Sequence, residues 1–201
     1  MTAQGASAGA GDIPALLHRI EGRYNGAQSL KLTFSEVYST SRRPAQTESG
    51  TLYLRKPGRM RWEYAEPAGK VFLSDGKETY LYTPEDRRVE KAKLKETDDM
   101  RAPLAFLLGK LDFLRDFRSF ESRPEGDAVW VVANPKSQNL AYTKVEFLAT
   151  AEGAIRRVRV TGQDQSKLDF TFTGEQVNAP VGADMFVFHA PAGAEIVEAE
   201  Q

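Results

Sequence analysis

From Leu30 to Lys91 apolar side chains recur at every second position, in runs too short and too closely spaced to admit a helix between them. Leu30, Leu32 and Phe34 alternate with Lys31, Thr33 and Ser35. Leu52 and Leu54 follow, and then Met60, Trp62 and Tyr64 alternate with Arg61 and Glu63. A period of two sends one set of side chains to one face of a strand and the other set to the opposite face. Strands joined by such short connections pair antiparallel. The runs at 71–73 and 80–82 flank Ser74-Asp75-Gly76-Lys77, and Asp-Gly between apolar runs predicts a type I′ hairpin. Residues 87–91 supply a further strand. The alternation returns at 129–132, 142–148, 155–160 and 168–172, with turns at Glu125-Gly126-Asp127 and Glu152-Gly153. Phe186-Val187-Phe188 reads as a last short strand, and the acidic tail after Glu195 is expected to fray.

Two stretches break this pattern. Ile13, Leu16, Leu17, Ile20 and Tyr24 recur at helical spacing behind Asp12, with Pro14 in the first turn and Asn25-Gly26 as the stop. Residues 98–117 hold Pro103-Leu104-Ala105-Phe106-Leu107-Leu108-Gly109 and then Leu111, Phe113, Leu114 and Phe117. That composition predicts one or two short, very apolar helices. The class is therefore α+β and mainly antiparallel β. Residues 12–201 form one domain: a helix, about ten strands and a helical insertion. Residues 1–11, MTAQGASAGAG, are small, polar and glycine-rich and are expected to be disordered. They have neither the basic start nor the apolar run of a signal peptide, and suit a cytosolic start or a mature exported chain equally.

A single antiparallel sheet must bury one apolar face. The candidates are Leu30, Leu32, Phe34, Leu52, Leu54, Met60, Trp62, Tyr64, Val145, Phe147, Leu168, Phe170 and Phe172. Two outcomes are open. The helices fill the inside as an ordinary core, or a curved sheet with few helices leaves an apolar hollow.

Several chemistries find no residues to carry them. The chain has no cysteine, so disulfides, thiolate metal sites and a lipidated N-terminal cysteine are excluded. His18 and His189 are the only histidines and stand in no metal-binding spacing. No G-x-S-x-G, P-loop or G-x-G-x-x-G occurs. Glu85-Asp86 and Asp98-Asp99 lie among polar neighbours, as solvated loop carboxylates do. No catalytic residue, metal or cofactor is therefore expected, and the chain reads as a non-enzyme. A net charge of −1 argues against nucleic acid. Arg55, Lys56, Arg59 and Arg61 around Pro57-Gly58 read as a charged hairpin. Arg156, Arg157 and Arg159 read as an outer face, with Val158 and Val160 turned inward. No apolar run approaches the roughly 20 residues of a membrane-spanning helix.

The stretch GTLYLRKPGRMRWEY at 50–64 is followed by Glu66-Pro67, then Leu73-Ser-Asp-Gly-Lys77, then Tyr80-Leu-Tyr-Thr-Pro84. These motifs, in this order and at these gaps, resemble the periplasmic outer-membrane lipoprotein carrier family, LolA. The likeness continues through Ala102-Pro103-Leu104, through residues 163–172, and into Phe186-Val187-Phe188 with Pro191 and Gly193. The resemblance implies an incomplete, or half, β-barrel with helices covering its concave apolar face. It implies a cavity for lipoprotein acyl chains, formed here by Leu30, Leu32, Phe34, Leu52, Leu54, Met60, Trp62 and Tyr64. It also implies a lid matching Leu104, Phe106, Leu107 and Leu108. Met60 stands where the family often has Phe, and a flexible thioether suits varied chains. Lys56 precedes Pro57 where the best-known members have an Arg that holds the lid closed. Lys56, or Arg55 beside it, is thus the lid-closing candidate, although Lys lacks the planar fork of Arg. The implied partners are an inner-membrane ABC transporter release complex and an outer-membrane acceptor lipoprotein. The implied protein is a periplasmic monomer that has lost its signal peptide. A related half-barrel for another lipid such as a glycolipid, or a lipoprotein-sensing regulatory domain, is the alternative reading.

Overall fold

The computed structural model describes residues 12–94 and 111–198. The segment 1–11 and the lid residues Leu104, Phe106, Leu107 and Leu108 lie outside the described residues. Helix α1 (Ile13–Gly26) leads into β1 (Ser29–Ser39), β2 (Gln46–Arg55), β3 (Arg59–Glu66), β4 (Val71–Asp75), β5 (Glu78–Thr83) and β6 (Arg88–Lys93). The second half holds a one-turn α2 (Phe113–Asp116), β7 (Phe117–Glu125), β8 (Ala128–Pro135), β9 (Tyr142–Thr150), β10 (Ile155–Gly162) and β11 (Lys167–Val177). A 3₁₀ turn (Ala183–Phe186) and β12 (Glu195–Glu198) close the chain.

All twelve strands form one sheet in the order β12-β6-β5-β4-β3-β2-β1-β11-β10-β9-β8-β7. The edges β12 and β7 do not pair, so the sheet is not closed. Every pairing is antiparallel except β12 on β6. The first half is a meander and the second half another, joined where β1 and β11 lie side by side in a long ladder from Leu30↔Val177 to Ser39↔Lys167.

The sheet curves strongly. On a flat sheet β3 and β11 would stand three strand spacings apart, about 14 Å. Yet the rings of Trp62 on β3 and Phe170 on β11 meet at a centroid distance of 5.4 Å. Every residue expected for the apolar face lies in one buried cluster on the inside of this curve. Leu16, Leu17, Ile20 and Tyr24 of α1 and Phe113 of α2 join the same cluster.

Four expectations need correction. The Asp75-Gly76 hairpin is not type I′: Gly76 has φ +98° and Lys77 is not left-handed, which are the signs of a II′ turn. Asp75 stays in β4, and its carboxylate accepts from the Lys77 and Glu78 amides, so the turn begins one residue late. β7 is not legible in the sequence, because it is mostly exposed and its register on β8 shifts between Phe117 and Ser119, which breaks the period of two. Phe186 belongs to the 3₁₀ turn rather than to a strand. It is buried against the sheet, and Phe188 stacks on Tyr80 at 4.7 Å. The acidic tail does not fray at once: Glu195–Glu198 satisfies the open edge of β6, and Glu198 pairs with Lys91 at 3.6 Å.

Gly50 is fixed by close approach. The β2–β3 register shifts between Ser49 and Gly50, and a Cβ at position 50 would lie 2.0 Å from the Glu63 carbonyl oxygen. The obstacle is backbone, which cannot step aside as a side chain could. Gly50→Ala is expected to cost about 2–4 kcal/mol through overpacking and a broken ladder. A fall in the urea midpoint at unchanged slope would show it; an unchanged midpoint would mean that the strands can separate locally at no cost.

Candidate functional site

The inner face is built in cross-strand rows. Leu30 pairs with Leu54, and Leu54 with Met60. Leu32 pairs with Leu52, Leu52 with Trp62, and Trp62 with Phe72. Phe34 pairs with Gly50, and Gly50 with Tyr64. The absent side chain at Gly50 lets Phe34 and Tyr64 meet edge to face at 5.2 Å. Trp62 sits in the middle, edge-on to Phe34 at 4.7 Å, with its indole nitrogen 3.4 Å from the Met60 sulfur. All eight residues expected to line a cavity are thus brought together, and none is more than 5% exposed. A charge at position 62 would be buried without a partner, a cost of several kcal/mol.

At one end of these rows stands the C-terminus of α1. The Lys56 ammonium donates to the Asn25 carbonyl oxygen, where the helix dipole is negative. The Asn25 side chain brackets Leu111: its amide donates to the Leu111 carbonyl at 2.8 Å, and its oxygen accepts from the Leu111 N–H at 2.6 Å. Glu21 accepts from the Phe113 N–H at 2.8 Å. Lys56, α1 and the chain at residue 111 are therefore one hydrogen-bonded unit. Arg55 instead donates to the Val181 carbonyl at 3.0 Å, and Arg61 to that of Met185 at 3.2 Å. Both hold the strap of residues 178–194 that links β11 to β12. Nothing in the sequence pairs Asn25 with Leu111, because 86 residues separate them.

The rest of α1 is clamped from the second half of the sheet. The Tyr24 hydroxyl donates to Glu175 at 2.8 Å and accepts from the Ile155 N–H at 2.9 Å. Burial first, and then the Glu175 charge, push this phenol well above its usual range, so it stays neutral. Gly153, at φ +82°, lets the β9–β10 turn approach α1; a Cβ there would lie 2.9 Å from the backbone of Arg19 and Ile20.

At the other end the same face turns polar. Beyond Phe34, β1 presents Glu36 and Tyr38 beside a cavity of about 800 Å³. Glu36 is 1% exposed. The Lys70 ammonium reaches both oxygens of Glu48 at 2.6 and 2.7 Å and lies 4.5 Å over the Tyr64 ring. The eight residues expected to line an acyl-chain cavity end at Phe34 and Tyr64, and of the apolar residues expected from sequence Leu168 alone reaches this rim. The signal is present, since the period of two that selects Leu30, Leu32 and Phe34 continues to Glu36 and Tyr38.

Elsewhere, His18 and His189 are exposed. Among the described residues no group of His, Cys, Asp or Glu is placed to hold a metal. Glu85 and Asp86 are exposed. Val158 and Val160 are buried inward, as expected, while Arg157 and Arg159 on the outer face share Asp169 and lie 5.3 and 5.5 Å from the Trp130 ring.

Comparison with known proteins gives one answer. The profile of the family described as outer membrane lipoprotein carrier protein LolA matches residues 25–189. An outer-membrane lipoprotein carrier protein from Nitrosospira multiformis is 28% identical over 172 residues, covering 85% of this chain and 83% of its own. One from Dechloromonas aromatica is 28% identical over 191 residues, covering 92% and 91%. An uncharacterized conserved protein from Thermus thermophilus shares the fold, with a TM-score of 0.53 at 15% identity over 93% of this chain and 99% of that one.

Asn25→Ala removes both bonds to Leu111. The Leu111 amide is then expected to exchange with deuterium at least about tenfold faster, while the Ile155 amide, held by Tyr24, keeps its rate. An unchanged Leu111 rate would mean that other contacts dock this segment.

Proposed function

The chain belongs to the outer membrane lipoprotein carrier protein LolA family, and from that premise we propose that it shields the acyl chains of lipoproteins and carries them through the periplasm from inner to outer membrane. The observation that carries this reading is the row of apolar side chains on the inner face of the sheet, with Trp62 at its centre. An acyl chain laid on that face gains about 0.8 kcal/mol per buried methylene, so a chain of palmitoyl length gathers on the order of 10 kcal/mol before costs. Binding of this kind forms and breaks no covalent bond, and needs no catalytic group, metal or cofactor.

These side chains are shut off from solvent, so a chain reaches them only when their cover parts. In this reading Leu104, Phe106, Leu107 and Leu108 act as the lid. Of the two basic candidates, Lys56 is the one placed to bias its opening, because its acceptor Asn25 also holds Leu111, where the lid stretch rejoins the described chain. Cargo binding must offset the loss of these bonds, and losing cargo restores them. Loading from an inner-membrane ABC transporter complex and delivery to an outer-membrane acceptor lipoprotein, by a monomer, complete the proposed cycle.

The chain has two tryptophans, Trp62 and Trp130. In a Trp130→Phe background, titration with 9,10-dibromostearate is expected to quench Trp62 fluorescence saturably, and excess palmitate should reverse it by displacement. Binding without quenching would put the chain elsewhere; no binding would sink the carrier reading.

Lys56→Leu weakens the closed state, so cargo binding has less to offset. The variant is expected to release a fluorescent acyl probe roughly threefold more slowly in stopped-flow displacement. Equal rates would remove Lys56 from the gating.

A further inference from the structure

The last pair of the β1–β11 ladder at this end is Leu30↔Val177, and the next residue, Asn178, leaves the strand with φ +57°. Asparagine tolerates this left-handed conformation because its short side chain bonds to nearby backbone. Here the bonds bracket the connection between α1 and β1. The Asn178 side-chain oxygen accepts from the Gln28 N–H at 2.8 Å, and the Asn178 N–H donates to the Ser29 carbonyl at 2.8 Å. The strap then adds two more ties. The Ala179 carbonyl accepts from the Ser29 hydroxyl at 2.6 Å, and the Val181 carbonyl accepts from Arg55 at 3.0 Å.

These bonds hold the mounting of Lys56. The Lys56 N–H donates to the Gln28 carbonyl at 3.0 Å, and its ammonium donates to the Asn25 carbonyl. Lys56 is thus tied at both ends to one short stretch, residues 25–28. A lysine carries its charge on a flexible four-carbon stem, so where the ammonium rests depends on how firmly its own backbone is held. Gln28 fixes that backbone, and Asn178 fixes Gln28. Two asparagines therefore play matching parts on either side of Lys56: Asn25 brackets Leu111, and Asn178 brackets Gln28 and Ser29.

Resting on the carrier reading above and on the part it gives Lys56, we propose that Asn178 is a positioning residue for lid closure. It acts through Gln28 and Lys56. Without its side-chain acceptor the Lys56 backbone is held less firmly, the ammonium bonds the end of α1 less often, and the closed state loses stability. The start of the strap and the lid latch are in this way parts of one device.

The test follows release of a dansylated fatty-acid probe, displaced by palmitate in stopped flow. Asn178→Gly keeps the left-handed backbone without strain and removes the side-chain acceptor. It is expected to slow release about twofold, in the direction of Lys56→Leu and not beyond it. Asn178→Asp keeps an acceptor oxygen in the same place and should restore the wild-type rate. In a Lys56→Leu background Asn178→Gly should change nothing further, because the residue it acts through is gone. A residue that serves only the stability of the fold would act equally in both backgrounds. A release rate that Asn178→Gly leaves unchanged or raises, an Asn178→Asp variant that does not restore it, or a full effect of Asn178→Gly without Lys56 each overturns the positioning role and leaves the carrier reading standing. If Lys56→Leu itself releases the probe at the wild-type rate, Lys56 has no part in gating and this inference falls with it. If palmitate displaces no probe, the carrier reading fails and takes this inference with it.

Discussion

Trp62 is the contact on which the curvature depends. It bridges β3 to β1 through Phe34 and to β11 through Phe170, and so ties the first meander to the second across their junction. Fully burying a large apolar side chain of this kind contributes about 1.5–3 kcal/mol, but its geometric effect is larger. With the two halves drawn together, Leu30, Leu54 and Met60 at one level and Phe34 and Tyr64 at another face the same interior as Val145, Phe147 and Val158 from the far side. Gly50 makes the arrangement possible by omitting a side chain where three strands crowd.

The outside of the sheet is covered differently on its two halves. Over β1–β6 the C-terminal strap lies across the strands, held by Ser29 on the Ala179 carbonyl, by Arg55 and Arg61 on carbonyls of the strap, and by Phe186 and Phe188. Over β8–β11 there is no strap among the described residues. Trp130 is buried instead beneath Arg123, Arg157 and Arg159, whose charges are met by Asp169, Glu125 and Glu146. Among the described residues both solutions leave the inner face as the large apolar one, and the proposed acyl-chain site follows from that division. Along this face β1 changes from the apolar Phe34 to the buried carboxyl side chain of Glu36.

Much of this is written in the local pattern. A period of two is a consequence of strand geometry, so the inward set Leu30 to Phe172 can be read from sequence and is found buried together. The helical spacing of Leu16, Leu17, Ile20 and Tyr24 likewise names the buried side of α1. What local pattern cannot supply are features decided by neighbours remote in the chain. β7 carries no clean period of two because its register on β8 shifts between Phe117 and Ser119, so that Phe117 and Phe120, three residues apart, both reach the inner cluster. The tail at Glu195–Glu198 becomes a strand only because β6 leaves an edge open beside it. The partners of Asn25, Lys56 and Tyr24 lie between 31 and 151 residues away.

The sequence by itself determined helix α1, most of the strands, the apolar face and, through its ordered motifs, the family. Those depend on side-chain period and on residues within a few positions of one another. Only the tertiary structure decided that the sheet curls until Trp62 meets Phe170, that Arg55 serves the strap while Lys56 serves α1, and that Glu36, Glu48, Lys70 and Asp164 surround one cavity. Those depend on strand order and on the curvature where the two meanders join, and such long-range geometry has no local signature for a period or a motif to carry.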